Sequence, residues 1–410
     1  MSDKALNTTM PYGEFVTLMA LMMSLVALSI DAMLPALPQI GHDLHVLQAN
    51  DNQLIISLLF LGFALGQVIY GPLSDSFGRK PAVYAGFLLV IIGCLMSIFC
   101  ETMTGMLAAR FIQGLGLAAP RVVSIALIRD QYEGNDMARV MSFIMMVFIL
   151  VPAIAPALGQ GILFFFDWRM IFSFILILTC ITWLWFFIRQ QETLPIQKRT
   201  PFSVNNIYQN ILSVCSNRIV IAYTIMTGFV FSSFLGYLSS AQQIFQIQYD
   251  LAEMFPLYFA VLALSIGCAS FTNGKLVMRF GMHHMARYAL IIISAVSTLF
   301  FVVASIFSGQ PALWMLMMYL MVVLFCFGIL MGNLNALAMQ PLGHMAGIGA
   351  SVVGTLSTLI SVPFGVLIGQ SYNHTILPLI AGFAVFSILA LLVMRWVSVK
   401  ELNIKNAACG

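Results

Sequence analysis

The sequence predicts an all-α integral membrane protein with twelve transmembrane helices in two pseudo-symmetric bundles of six. Three observations lead to this fold class. Of the 410 residues, 61% are hydrophobic and only 8% are charged, whereas about 25% of an ordinary soluble domain is charged. Apolar stretches of about 20 residues, long enough to cross a ~30 Å hydrocarbon core as helix, recur along the chain. The longest polar segment lies near the middle and divides these stretches into two sets of six.

The predicted spans are taken here in chain order. The first six cover residues 14–39, 52–72, 81–100, 104–128, 138–162 and 167–189, and the other six cover 217–240, 254–275, 285–307, 312–338, 346–370 and 374–397. The domains that follow are an N-terminal bundle at 1–189, a cytoplasmic linker at 190–216 and a C-terminal bundle at 217–410. The first apolar run lacks a basic n-region, so it is expected to remain as the first span rather than be cleaved as a signal peptide.

Lys and Arg residues predict how the spans are oriented, because positively charged flanks stay cytoplasmic. Of the 18 such residues, Arg169 alone falls outside when the N-terminus is placed inside. Arg110 and Arg121 lie within predicted spans. The others fall on the cytoplasmic side: Lys4, Arg79, Lys80, Arg129, Arg139, Arg189, Lys198, Arg199, Arg218, Lys275, Arg279, Arg287, Arg395, Lys400 and Lys405. Both termini are therefore expected to face the cytoplasm.

A short sequence after span 2 recurs after span 8. Residues 71–80 read GPLSDSFGRK and residues 274–283 read GKLVMRFGMH, so that Gly, Leu, Phe and Gly coincide at a constant offset. A chance match is the alternative, but both segments follow the second span of their half, which predicts a duplication. The copies differ chemically, because Met278 stands in the second where Asp75 stands in the first.

Three charged residues, Asp31, Arg110 and Arg121, lie within predicted spans away from the span ends, where each costs at least a few kcal/mol and usually serves a site or a partner. Asp31 is the only carboxylate among them, and therefore the candidate for carrying a proton. Counted along the helices at ~1.5 Å per residue, Asp31 and Arg110 can lie at one level. A fixed ion pair with Arg110, or a cap at a helix break before Pro35, are the structural alternatives for Asp31. For Arg110, a role in helix packing is an equal alternative. Arg121 is expected either to line a cavity shared with Asp31 and Arg110 or to anchor helix packing.

The segment after span 2 is expected to form a short cytoplasmic turn. Gly71 and Gly78 permit a tight reversal, and Asp75 can bind a basic side chain or the N-terminal end of a neighbouring helix. We interpret Asp75, together with Arg79, as part of a conformational latch. A merely solvated turn is the alternative.

Two spans combine proline with glycine, which bends a helix and allows close helix contact. We interpret them as a hinge between the halves, with ordinary kinks as the alternative. The residues are Pro152, Pro156, Gly159 and Gly161 in span 5, and Pro363, Gly365 and Gly369 in span 11.

An apolar cavity with a few polar points would suit an amphipathic substrate. Most aromatic residues at helical spacing face lipid or other helices, so packing is the alternative for each lining residue. The candidates are Arg121, Phe60, Phe63, Phe234, Tyr237 and Asn333. An enzyme would need a nucleophile with a base, or metal ligands, at membrane depth. The cysteines show no metal-binding or redox spacing and no histidine lies deep in a span, so neither an enzyme nor a metal is expected. A passive channel would not require the hinge or the latch.

These motifs resemble those of the major facilitator superfamily. Residues 71–80 resemble its signature loop, and the segment RFIQG from Arg110 to Gly114 resembles its helix 4 motif. The run from Pro152 to Gly161 is similar to the helix 5 motif of its antiporters. Residues 31–38, DAMLPALP, resemble helix 1 of the twelve-helix drug:proton antiporters, in the Bcr/CflA-type branch named for bicyclomycin and for chloramphenicol and florfenicol resistance.

The resemblance implies two bundles around a central cavity and alternating access driven by the proton gradient, with no other cofactor. It also implies a monomer that exports small amphipathic drugs across a bacterial inner membrane, with protons and lipid but no nucleic acid as partners. By this likeness, Asp31 is the proton carrier, Arg110 its partner, and Asp75 with Arg79 part of the cytoplasmic gate. The same fold supports export of a cellular metabolite or siderophore, or proton-driven uptake, and these remain alternatives.

The sequence departs from the family pattern at four positions. Ser76 replaces the basic residue usual after the loop Asp, so a weaker gate is expected. Ala155 and Gln160 replace glycines of the helix 5 motif, which puts close packing there in doubt. Met23 stands where some relatives carry a second helix 1 acid, so one proton per cycle is the simplest stoichiometry.

Overall fold

The computed structural model describes residues 10–199 and 203–408, and these are almost entirely helical. Twelve helical segments are long and apolar enough to cross a membrane, which confirms the predicted fold class. Lys4, one of the residues used to predict orientation, lies outside the described residues.

The described residues of the N-terminal half form seven α-helices. The first span is made of α1 (Tyr12–Asp31), a short 3-10 helix (Leu34–Ala36) and α2 (Leu37–Asp43). The other five spans are formed by α3 (Leu54–Phe77), α4 (Arg79–Phe99), α5 (Met103–Gln131), α6 (Gly134–Leu163) and α7 (Arg169–Arg189).

The C-terminal half contains six long helices, preceded by a shorter one. The short helix α8 (Val204–Ser216) lies in the predicted linker. The spans are α9 (Arg218–Gln242), extended by a π-helix (Gln243–Gln248), then α10 (Phe255–Phe280), α11 (Met282–Ile306), α12 (Leu313–Met339), α13 (Ala346–Gln370) and α14 (Leu377–Ala408).

The chain divides into two compact units, Met1–Ile207 and Tyr208–Gly410. Within the first unit, α5 packs against α3 and α4, α1 packs against α6, and α4 packs against α7. Within the second, α12 packs against α10 and α11, α9 packs against α13, and α11 packs against α14. Each of these pairs in the first unit has a counterpart in the second unit, formed by the spans at the same positions in the order of that half. This shared arrangement supports the duplication inferred from the repeated sequence.

The first span is interrupted where the sequence places two prolines. Helix α1 ends at Asp31, and Pro35 lies in the 3-10 helix that follows. Proline has no N–H to donate to the preceding turn, and its ring clashes with the carbonyl four residues earlier. The helix therefore stops before Pro35 and resumes as α2 at Leu37. The predicted break before Pro35 is present, and it leaves Asp31 at the end of a helix.

The predicted turn after span 2 is wrong in extent. Helix α3 continues through Gly71 and Asp75 to Phe77, and α4 begins at Arg79, so Gly78 alone separates the two helices. Gly78 has φ 110°, a left-handed backbone conformation that glycine adopts without a steric penalty. The chain reverses at the matching position of the second half in the same way, at Gly281 with φ 79°. The polar residues before Gly78 thus form the last turns of a helix rather than a loop.

Candidate functional site

The Asp31 side chain is buried at the end of α1, with 5% of the residue exposed. No hydrogen bond or ion pair involves its carboxyl group within residues 10–199 and 203–408. The alternative of a fixed ion pair with Arg110 is therefore wrong for this structure. The alternative of a side-chain cap also finds no support, although Asp31 does lie at a helix break. Carboxyl groups inside membrane spans are rare and mark functional sites such as proton relays.

Arg110 is fully buried and fixes the end of α1 by a different route. Its Nη2 donates to the backbone carbonyl of Ser29 at 2.6 Å, and its Nη1 donates to Oε1 of Gln113 at 2.5 Å. Its Nε donates to the carbonyl of Ile55 in α3 at 3.4 Å. The last four carbonyls of a helix have no partner within that helix, so Arg110 supplies a donor that α1 lacks. This geometry fits the packing role considered for Arg110, and its part in proton coupling stays a prediction.

Helix α6 passes very close to the break in the first span. A Cβ atom added to Gly159 would overlap the carbonyl oxygen of Ala32, the residue after Asp31. A Cβ atom added to Gly161 would meet no atom within 4 Å. Close packing in the helix 5 motif, which Ala155 and Gln160 had put in doubt, is thus present at Gly159. The hinge role of Pro152 and Pro156 stays a prediction.

Arg121 lies in α5, three turns beyond Arg110, and its surroundings differ from those of Arg110. Its guanidinium carbon lies 4.9 Å from the centre of the Phe148 ring in α6. Its Nη1 atom is buried and donates no hydrogen bond among the described residues. An arginine held only for packing normally finds acceptors for its N–H groups.

The predicted latch is an ion cluster that joins the ends of three helices. Arg79, 4% exposed, donates from Nη1 to Asp75 at 2.5 Å and to Oγ of Ser74 at 2.9 Å. Its Nε donates to Asp130 in the last turn of α5 at 3.0 Å. The carboxylates lie on both sides of one guanidinium, so each helix end is held to the other two through Arg79.

A second acid in the same cluster caps the start of α4. The Glu192 carboxylate accepts the backbone N–H groups of Arg79 and Lys80, each at 3.0 Å. These N–H groups have no partner inside the helix, and a negative charge there also interacts favourably with the helix dipole. A Cβ atom added to Gly78 would lie 2.6 Å from Glu192 Oε2. Gly78 therefore serves both the backbone turn and the approach of Glu192.

Sequence reasoning predicted Asp75 and Arg79 but missed Asp130 and Glu192. Asp130 is 51 residues from Arg79, and Glu192 is 113 residues from it. No periodic pattern within a helix connects residues so far apart. The available signal was that both acids occur at the predicted cytoplasmic ends of spans, beside basic residues.

Among the described residues of the second half, no ion cluster corresponds to that of Arg79. Met278, which matches Asp75, is 87% exposed, and a Cβ atom on Gly281 would meet nothing within 4 Å. His283, which matches Lys80, shares a 3.1 Å hydrogen bond with Tyr223 instead. The chemical inequality predicted for the two copies is therefore present in the structure.

The predicted cavity residues are divided between the two units. Phe60 and Phe63 lie in α3 and are both buried. Phe234 stacks on Phe327 in α12 at 4.4 Å, and Tyr237 stacks on Phe259 in α10 at 6.0 Å. These ring contacts fit the alternative of helix packing.

Asn333 also has partners inside its own unit. It is buried and donates to Asn273 Oδ1 at 2.8 Å and to its own helix at Ile329. This bond joins α12 to α10. A shared substrate cavity stays a prediction.

Comparison with known proteins places this arrangement in a family. A sequence model of the Major Facilitator Superfamily matches residues 19–366. An uncharacterized MFS-type transporter of Bacillus subtilis is 30% identical over 352 residues, which make up 83% of this chain and 85% of that protein. A bicyclomycin resistance protein homolog of Haemophilus influenzae is 26% identical over 390 residues, 95% and 97% of the two chains. The multidrug resistance protein MdtL of Shigella flexneri is 35% identical over 143 residues, 35% and 36% of the two chains.

Solved structures show the same fold at low sequence identity. The xylose transporter XylE from E. coli superposes with a TM-score of 0.72 at 12% identity, over 93% of this chain and 97% of that one. The human organic anion transporter MFSD10 gives a TM-score of 0.69 at 18% identity, over 94% and 99%. The family and its relatives indicate a transporter and not an enzyme. The chain belongs to the Major Facilitator Superfamily.

Proposed function

We propose that this transporter exports small amphipathic drugs, of the chloramphenicol and bicyclomycin kind, across a bacterial inner membrane in exchange for protons. The names of two relatives, a bicyclomycin resistance protein homolog and a multidrug resistance protein, support the class of substrate. The observation that carries proton exchange is Asp31, a buried carboxyl group without a partner in the described part of the chain. Alternating access would connect this group to one side of the membrane and then to the other.

The coupling role of Asp31 follows from the chemistry of an unpaired carboxyl group. A carboxylate held by a permanent cation keeps its charge, whereas one without such a partner changes charge as water or substrate reaches it. Proton release on one side and uptake on the other would then accompany drug movement in the opposite direction. The Arg79 cluster would hold the cytoplasmic ends of three helices together in one state of the cycle.

Proteoliposomes provide the test. We expect chloramphenicol to stimulate proton movement by the wild-type protein, and Asp31→Asn to abolish it while drug binding persists. Asp51→Asn, in the connection between α2 and α3, is the matched control and should leave the signal intact. Unchanged coupling in Asp31→Asn would return Asp31 to a structural role. If no tested drug stimulates proton movement by the wild-type protein, a dedicated exporter of a cellular metabolite or siderophore would be favoured.

A further inference from the structure

Arg121 is half-buried, and one of its hydrogen-bonding atoms, Nη1, is buried and unused. Its Nη1 donates to no acceptor within the described ranges 10–199 and 203–408, and its guanidinium carbon lies over the Phe148 ring, 4.9 Å from the ring centre. A ring face attracts a guanidinium group electrostatically but accepts little from its N–H groups. A buried donor without an acceptor costs about 1–3 kcal/mol, and more when it is charged. The structure therefore holds Arg121 in a form that gains from an additional partner.

Arg110 shows how this protein satisfies an arginine that serves packing. Three acceptors on three helices surround Arg110: the carbonyls of Ser29 and Ile55, and the side chain of Gln113. Arg121 lies in the same helix, and no such set surrounds it in the part of the chain that the structure describes. The two arginines therefore differ in kind, and the packing explanation that fits Arg110 does not extend to Arg121.

The position of Arg121 along α5 places it on the cytoplasmic side of Asp31. Oγ of Ser124, one turn beyond Arg121, lies 3.8 Å from the sulfur of Met22 in α1. Arg110, at the other end of this stretch of α5, contacts α1 at Ser29. Because α1 and α5 run in opposite directions, Arg121 lies between these two levels and below Asp31.

The charge balance inside the spans favours a negative partner. Arg110 and Arg121 carry two positive charges, and Asp31 is the one carboxyl group at comparable depth in the sequence. The segment between Glu253 and Glu401 contains no Asp or Glu that could neutralise them. One net positive charge therefore remains even when Asp31 is ionised. An anion gains from this field, whereas a cation is repelled by it.

We infer that Arg121 binds a carboxylate group of the transported molecule, so that anionic amphipathic compounds form the preferred substrate class. Arginine presents parallel N–H donors that match the two oxygens of a carboxylate, and such charge-assisted pairs are about twice as strong as neutral hydrogen bonds. Phe148 leaves an apolar surface beside the guanidinium for the rest of the molecule. This inference rests on the proposed export function and narrows it.

The test compares two fluorescent probes that differ in one group. Dansyl-glycine carries a carboxylate, and its methyl ester is neutral and of similar size. Binding to purified protein in nanodiscs is measured by titration of dansyl fluorescence, without a proton gradient. We expect the wild-type protein to bind the acid at least about tenfold more tightly than the ester, in line with about 1.5–3 kcal/mol for a hydrogen bond to a charged group.

Three variants assign this preference. Arg121→Gln should weaken binding of the acid by about tenfold or more and leave ester binding within about twofold. Arg121→Lys should keep part of the preference, because it keeps the charge but loses the planar pair of donors. Arg139→Gln is the matched control, since the exposed Arg139 also lies over an aromatic ring, Tyr12, at 5.5 Å. It should leave both affinities unchanged.

The outcomes separate this inference from the proposed function. Equal affinity of the wild-type protein for acid and ester, failure to bind the acid, or a preference that survives in Arg121→Gln would overturn it. If Arg121→Gln does not fold, loss of the preference in the folded Arg121→Lys variant supports the inference, and its full retention overturns it. Because no gradient is applied, a protein that binds the acid through Arg121 but moves no protons contradicts antiport alone.

Discussion

Two buried polar residues of the first unit, Arg110 and Asp31, differ in their hydrogen bonding. All three side-chain nitrogen atoms of Arg110 donate a hydrogen bond, whereas the Asp31 carboxyl group has no hydrogen-bond partner in the described residues. The backbone carbonyl of Ser29, bound by Arg110, is only two residues from Asp31. Arg110 thus holds the end of α1 without neutralising the acid beside it. Under the proposed antiport, this arrangement would position the coupling residue Asp31 without fixing its charge.

Because Arg110 holds the end of α1, we expect the protein to lose stability when the Arg110 side chain is shortened. Arg110→Gln leaves the Ser29 and Ile55 carbonyls without their donor, and we expect a destabilisation of about 3 kcal/mol or more. Arg110→Lys should recover only part of it, because one ammonium group cannot replace a planar donor with three directions. Thermal unfolding in detergent, followed by size-exclusion chromatography, measures the difference. Melting temperatures equal to that of the wild-type protein would contradict this role.

The cap at the start of α4 gives a second prediction at a single residue. Glu192→Ala removes the acceptor of the Arg79 and Lys80 N–H groups, and we expect a loss of about 1–2 kcal/mol. Glu192→Gln keeps an oxygen acceptor and should lose less. The control is Glu101→Ala, since Glu101 is exposed. Thermal unfolding in detergent compares the four proteins, and equal effects at positions 101 and 192 would rule out the cap.

At the scale of helices, the sequence predicts the spans well and their ends poorly. Apolar length is a local property, so all twelve spans could be recognised. The end of α3 could not, because polar residues beyond the hydrocarbon core do not stop a helix whose N–H and C=O groups can bond within it. Gly71 and Asp75 were expected in a turn, yet the chain turns only at Gly78, where the backbone needs φ 110°. Glycine content alone does not show which glycine will turn.

The contact between the first span and α6 leads to a prediction about helix packing. Gly159→Ala places a Cβ atom on the carbonyl oxygen of Ala32, so α6 and the break after Asp31 must separate. We expect a destabilisation of about 1–3 kcal/mol. The matched control is Gly161→Ala in the same helix, where the space is open and replacing glycine by alanine should stabilise by roughly 0.5–1 kcal/mol. Thermal unfolding of both variants should therefore shift in opposite directions, and a shift of the same sign would contradict the close contact.

For the whole molecule, the two halves share a helix arrangement but not a chemistry. The pairings of the first unit recur between spans of the same rank in the second. Spacing and the repeated glycines could predict this, because both copies use the same turn. The ion cluster of Arg79 with Asp130 and Glu192 could not be predicted, because its partners are distant in sequence and only the folded chain brings them together. Arg121 could be recognised as unusual in a span, but its unused N–H required the structure.

The distribution of basic residues makes a prediction about the whole chain in its membrane. Positively charged flanks remain cytoplasmic, so the connection between α6 and α7 should face the outside and the segment after α7 the cytoplasm. Two exposed positions test this in a variant whose native cysteines are replaced: Phe165→Cys in the first connection and Gln197→Cys in the second. The outer membrane of the cells is permeabilised while the inner membrane is left intact, and a membrane-impermeant maleimide is added. It should label position 165 but not position 197.

Permeabilising the inner membrane is the control for this experiment, and it should make both positions react. Labelling of position 197 alone in intact cells would reverse the orientation and place the Arg79 cluster on the outer side. Labelling of position 165 alone would place Asp31 nearer the outer surface than Arg121. A proton that enters from outside would then reach Asp31 first.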